Sequence, residues 1–222
     1  MWARILERRF DAGELRGHAV GNLVLLALTE ELGDLQSACD EVARTCGIDL
    51  DRARVVPVTD DAVVLSGRTV GGRVVDGQVA VATTAGVQEV WVSPGCTAAS
   101  TLAIEAIRAA DLVVLGPGSL YTSVLAAAVV GDVRKALADT PAQVVYVANL
   151  QAERVESCGY DVAAHVAALA RHDVRADVVL AEAGSPRIGA IGVDVVEAHM
   201  ATPGGRVHDP RALGAALRAL AA

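Results

Sequence analysis

Apolar residues crowd residues 22–32, and the run is bounded by Asn22, an N-cap residue type, and by Gly33, a stop signal. That pattern predicts a helix over 22–32, and a second helix is predicted over 35–45, ending at Gly47. The period then changes. Short β-prone runs at 55–58 and 62–65 alternate with the turn dipeptides Gly71-Gly72 and Asp76-Gly77, and further strands are expected at 79–83 and 89–92. Residues 54–93 therefore read as an antiparallel insertion on a main sheet. From residue 100 onward the rhythm is β-α-β. A helix over 100–110 is capped by Ser100, and strands are predicted at 112–115, 143–147 and 176–181. Helices are expected after the glycine-rich segment that follows 112–115, over 160–171, and over 210–220 with Asp209 as N-cap and Pro210 at the first position. Alternation of this kind predicts an α/β fold with a mostly parallel, doubly wound sheet in a single domain over 1–222.

Composition narrows the picture. The 222 residues are 53% hydrophobic but only 3% aromatic, so the core has to be built from Ala, Val and Leu. A mean hydropathy of +0.41 is high, yet no uninterrupted apolar run approaches the roughly 18 residues of a membrane span. No basic start followed by an apolar stretch opens the chain, and the expectation is a cytoplasmic protein. A net charge of −8 argues against nucleic acid and anionic membranes as partners, since both demand dense Lys and Arg. A small anionic ligand remains open, because oriented backbone amides can hold phosphate on an acidic protein. Cys39, Cys46, Cys96 and Cys158 form no C-x-x-C pair and have no His at ligand spacing, so reduced thiols and no bound metal are expected.

Chemistry concentrates at 112–123, where a hydrophobic strand runs into Gly116-Pro117-Gly118-Ser119-Leu120-Tyr121-Thr122-Ser123. Glycines let backbone approach a ligand, Gly118 is expected to adopt a positive φ, and amides at a helix start attract phosphate. The same residues would also serve any strand-to-helix turn. His18 and Asn22, in Gly17-His18-Ala19-Val20-Gly21-Asn22, could transfer a proton, contact phosphate or simply shape a turn. Asn149 falls at the carboxyl end of a predicted strand, where open α/β sheets bind ligands. Asp60 and Asp61 could form a carboxylate pair, although neighbours on a strand face opposite ways and a solvated turn explains them too. His208 begins the C-terminal helix segment.

Together these stretches resemble the family that contains 2-phospho-L-lactate transferase and the bacterial gluconeogenesis factor. The resemblance rests on residues 17–22, 55–58, 110–123 and 145–150, on Gly159-Tyr160, on the helix carrying His165, and on His208-Asp209-Pro210. It is closer to the gluconeogenesis-factor branch. It implies a Rossmann-like three-layer sandwich with a ligand cleft lined by His18, Asn22, Gly116, Gly118, Ser119, Tyr121, Thr122 and Asn149. The transferase branch moves a phospholactyl group from a guanine-nucleotide donor to a deazaflavin alcohol with magnesium. The gluconeogenesis-factor branch binds uridine-diphosphate sugars without catalysis and supports cell shape on gluconeogenic carbon sources. Two departures stand out. The family's opening Gly-Gly-Gly-Thr-Gly loop and its Asp-Asp-Gly-Gly segment are not found here, so an N-terminal nucleotide-binding portion is expected to be missing. Residues 151–158 also stand in place of the family's Gln-Pro-Gly-Glu-Thr-Asp run.

The resulting expectation is a binder of a nucleotide or nucleotide-sugar, with no nucleic-acid and no membrane partner. The alternatives are a magnesium-dependent phospholactyl transferase, for which Asp60 and Asp61 are the available carboxylates, and a partner-binding module without a ligand. A sheet lacking central strands would expose an apolar edge, and a homo-oligomer is expected from it. Size-exclusion chromatography with light scattering at several concentrations checks this: the expected outcome is association, and a monomer at 22.8 kDa would refute it.

Overall fold

The computed structural model describes residues 1–151, 155–185 and 188–221. The chain divides into two compact units, Met1–Asp60 and Asp61–Ala222.

In the first unit, helices α1 (Trp2–Leu6), α2 (Val20–Leu32) and α3 (Leu35–Thr45) follow one another. Residues 7–19 fold back on themselves: Phe10 N donates to His18 O at 3.1 Å, and Val20 N to Arg8 O at 2.9 Å. That backbone bond satisfies an amide at the start of α2, so the helix begins two residues earlier than predicted. Ala19 is its N-cap, and Asn22 sits inside the first turn rather than capping it. The bounds of α3 match the expectation. Its cap is Asp34, whose Oδ1 accepts from Ser37 N at 2.7 Å. Buried Asp40 on α3 takes two hydrogen bonds from Arg54, and this guanidinium holds the Asp40 carboxyl below the usual carboxylate range. Gln36 donates to Asp40 and to Val55 O at 3.2 Å. Residues 55–58 are thus tied to a helix by side chains and form no strand, contrary to the pattern-based expectation.

The second unit holds two sheets. Strands β1 (Val64–Thr69), β2 (Val74–Asp76) and β3 (Val87–Ser93) make an antiparallel sheet in the order β2-β1-β3. The run at 79–83, expected as a strand, is instead helix α4 (Gln78–Ala82). A short apolar run fits either element, and here Gly67 on β1 decides the outcome. A side chain at Gly67 would come within 3.2 Å of Val81 Cγ2, so the bare strand lets α4 lie against it with Val81 fully buried.

After α5 (Thr101–Ala109) comes a four-stranded parallel sheet: β4 (Leu112–Leu115), β5 (Gln143–Val147), β6 (Val178–Glu182) and β7 (Asp194–Ala198). The strands pair in chain order, β4-β5-β6-β7. β7 escaped the sequence reading because its Asp-Val-Val-Glu-Ala pattern is half polar and half exposed. The connections carry α6 (Ala126–Ala128), α7 (Gly131–Asp139) and α8 (Val162–Arg171), and α9 (Pro210–Leu220) follows β7. Val145, Val147, Val178 and Leu180 pack with Met200 under Leu213 and Leu217 of α9. Tyr146, pointing to the opposite face of β5, meets His165 of α8. Helices therefore cover both faces, the three-layer α/β arrangement expected from the sequence. Asp209 caps α9 as anticipated, accepting from Arg211 N and Ala212 N at 2.9 Å. Among the described residues no helix is long and apolar enough to cross a membrane.

Residue His172, at the end of α8, links that helix to the antiparallel sheet. Its Nδ1 lies 2.7 Å from Ala168 O, and its Nε2 accepts from Val90 N at 2.9 Å. Both contacts are met by a neutral imidazole with its proton on Nδ1. Burial holds His172 below the ordinary imidazole value, and burial does the same to His165 and His208. A histidine lowered in the folded state contributes stability that is complete above the unfolded value, about 6.5, and is lost as pH falls from there toward the folded value. The urea midpoint should therefore fall between pH 7.5 and pH 5.5, and it should fall less in His172→Gln. Equal midpoints at the two pH values would contradict the assignment.

Candidate functional site

Leaving β4, the chain turns sharply at Gly116, whose φ is +82°. A Cβ there would sit 3.2 Å from Val147 O, so only glycine lets this turn close against the end of β5. The positive φ expected at Gly118 belongs to Gly116. At Gly118 an added Cβ would make an ordinary 3.5 Å contact with Ser123, so its backbone needs no special freedom. Asn149 instead holds Gly118. Gly118 N donates to Asn149 Oδ1 at 3.1 Å, and Asn149 Nδ2 donates to Gly118 O at 3.0 Å. One carboxamide at the end of β5 thus reads both backbone groups of the residue leading out of β4.

A π-helical turn, Leu120–Leu125, follows. Ser119 O accepts from both Ser123 N and Val124 N, at 3.1 and 3.0 Å. Turns of this type are frequent at functional sites. The side chains inside it are anchors. Tyr121 is 0% exposed and Thr122 is 6% exposed, so neither presents surface to a ligand in this conformation, although both were expected to line the cleft. Tyr121 N donates to the buried carboxylate of Glu156 at 3.0 Å. A carboxylate at this position complements the positive end of the turn, as an anion would. The Tyr121 hydroxyl lies 3.2 Å from that of Tyr160 and accepts from Arg171 Nη2 at 3.4 Å. Burial pushes the Tyr121 hydroxyl above its ordinary value, keeping it a neutral donor. Gln78 Nε2 donates to Thr122 O at 3.0 Å, pinning the turn to α4. Gly118, Ser119 and Asn149 are half-buried, and Ser123 is exposed.

The same carboxyl edge continues on β6. Glu182 Oε2 accepts from Met200 N and Ala201 N at 2.7 and 2.9 Å, fixing the loop after β7. His208 closes that loop by bridging to Ala201. Burial lowers the His208 imidazole, while Glu182 and the Ala148 backbone favour its charged form.

Of the eight residues expected at the site, the structure groups Gly116, Gly118, Ser119, Tyr121, Thr122 and Asn149 at one edge of the second unit. His18 and Asn22 lie in the first unit, exposed at the amino end of α2. Asp60 and Asp61 are exposed in an irregular stretch. Among the described residues no group of three or more His, Cys, Asp or Glu side chains converges to hold a metal ion. Glu156, Tyr160 and His165 went unassigned in the sequence reading, because only the fold places them beside the glycine turn.

A parallel α/β sheet with a glycine turn clamped at its carboxyl edge places the chain among the Rossmann-like α/β proteins. The chain belongs to the family described as 2-phospho-L-lactate transferase CofD, whose profile matches residues 1–199. It is 37% identical to a Mycobacterium tuberculosis protein that carries the gluconeogenesis-factor name, over 98% of this chain and 69% of that protein. It is 34% identical to the gluconeogenesis factor of Bacillus subtilis, over 76% of this chain and 53% of that relative. The chain thus spans about half to two thirds of the length of these relatives. A crystal structure of a Bacillus halodurans protein superposes with a TM-score of 0.85 at 26% identity, covering 97% of this chain and 77% of that one.

Two substitutions test the geometry. Asn149→Ala removes both bonds to Gly118 and should cost about 1–3 kcal/mol in urea unfolding. Gly116→Ala should cost about 1–2 kcal/mol or more, from the left-handed backbone and the contact with Val147 O, whereas Gly118→Ala should cost less. A larger loss at Gly118 than at Gly116 would contradict the account.

Proposed function

We propose that this protein is a gluconeogenesis-factor-type regulator that binds a nucleotide sugar of the uridine-diphosphate class at the carboxyl edge of its parallel sheet. The observation that carries the reading is the clamp of Asn149 on Gly118. It fixes the backbone of the 116–119 turn next to a strand end, where a ligand's phosphates would meet backbone amides and the Ser119 hydroxyl. Kinship with the gluconeogenesis factors supports the regulatory side of the reading, in which ligand occupancy couples carbon metabolism to cell shape in the cytoplasm.

A ligand that binds only the folded chain raises its stability, by about 2.7 kcal/mol at a hundredfold excess over Kd. Thermal unfolding with a panel of uridine-diphosphate sugars should show such a rise. Guanosine diphosphate should give a smaller one, and Asn149→Ala should bind more weakly than the unaltered chain. Stabilisation by guanosine compounds alone would favour the phospholactyl-transferase reading, and no stabilisation by any nucleotide would refute both. In the source organism grown on a gluconeogenic carbon source, loss of the gene should disturb cell shape, and Asn149→Ala should fail to restore it.

A further inference from the structure

Beside Asn149 the second unit contains a small cavity of about 30 Å3, lined by Asn149, Gln151, Tyr160, Asp161, His165 and Ser185. A space of this size admits one water-sized group, and the polar side chains share its lining with Leu150 and Val162. His165 supplies the most defined group. It stands on α8, is 7% exposed, and its Nδ1 lies 2.6 Å from the hydroxyl of Tyr146 on β5. The edge-on ring of Tyr160, 5.8 Å away, braces the imidazole from the side. Asp161 is held in turn, its Oδ1 accepting from Ala164 N at 2.8 Å.

The second nitrogen of His165 decides what the cavity can do. Nε2 has no protein partner among the described residues, and it is not a sealed orphan either. Burial keeps the ring neutral, against the pull of Asp161 and Glu156, so the ring carries one proton. The Tyr146 contact is compatible with either tautomer; where the Tyr146 O–H donates to Nδ1, the proton of the imidazole lies on Nε2. In that tautomer His165, which lines the small space next to the Gly118 clamp, has an N–H to offer an acceptor there.

We propose that this cavity is an oxygen subsite of the ligand site, in which His165 Nε2–H donates to one acceptor oxygen of the bound ligand, phosphoryl or sugar hydroxyl. The proposal rests on the nucleotide-sugar reading and adds a binding residue on α8.

Nitrogen-detected NMR of the histidine rings in the full chain tests this, with calorimetry run in parallel on uridine, uridine diphosphate and uridine-diphosphate glucose. The free protein should show the Nε2–H tautomer at His165. Uridine diphosphate should shift the Nε2 signal while uridine does not, which assigns a phosphoryl oxygen; a shift with the glucose conjugate alone assigns a sugar hydroxyl. Binding heat from either diphosphate with His165 unmoved overturns the subsite and leaves the nucleotide-sugar reading standing. An Nδ1–H tautomer also overturns it. Absence of heat with every uridine compound overturns that reading and the subsite with it. His165→Phe should weaken binding about tenfold, and His165→Gln, which keeps a donor, should recover part of the loss. If His165→Phe fails to fold, the spectra of the unaltered chain decide the question.

Discussion

The carboxamide of Asn149 makes two hydrogen bonds to one residue, and the carboxyl edge of the parallel sheet is organised around that contact. β4 and β5 are paired through their backbones only as far as Leu115 and Tyr146. Beyond that point the ladder ends, and each chain would be free to depart in its own direction. Asn149 extends the pairing by one side-chain step and carries the alignment of the sheet into the glycine turn. Gly116 makes this possible by closing against Val147 O with a left-handed backbone, where a Cβ would sit only 3.2 Å from that oxygen. The π-helical turn beyond is then anchored from three sides, by Glu156, by the hydroxyls of Tyr160 and Tyr121, and by Gln78.

Much of this architecture was legible along the chain, for identifiable reasons. α3 and α9 carry their own punctuation. Gly47 stops the first, and Asp209-Pro210 starts the second, so their bounds depend little on what packs against them. β5 and β6 are buried on both faces and read as short apolar runs bounded by polar residues. The failures cluster where tertiary contacts outweigh local pattern. Residues 79–83 became a helix because Gly67 leaves room for Val81. Residues 55–58 stayed irregular, with Val55 O held by Gln36 of α3 and the preceding Arg54 bonded to Asp40 on the same helix. At the site, the glycine turn and Asn149 could be found from sequence because strand ends and glycines have local signatures. The role of Tyr121 could not, since burial at 0% is a property of the assembled layers. Glu156 and His165 act across 35 and 19 positions of sequence, a separation at which no local rule pairs residues.

Polar groups beneath the turn are arranged so that each fixes the next. Tyr146 orients His165, Tyr160 braces it, and the Tyr160 hydroxyl reaches Tyr121 and through it Arg171. His172, one residue further along, takes the amide of Val90 and so ties α8 to the antiparallel sheet. Helix α8 therefore touches both sheets of the second unit through neutral, buried aromatic and imidazole groups. In a core with few aromatic residues, these rings occupy the places where hydrogen bonding and packing are both required.

The order of the parallel strands bears on how the chain is made. Because β4, β5, β6 and β7 lie side by side in the sequence in which they are translated, each strand after β4 finds a partner already synthesised when it leaves the ribosome. Among these four strands no completed pair has to open to admit a latecomer. The sheet can grow from one side, with α7 and α8 carried on the connections into β5 and β6. A chain this apolar and this poor in aromatic anchors gains from such an order, since its nascent strands are the ones most prone to pair with the wrong partner.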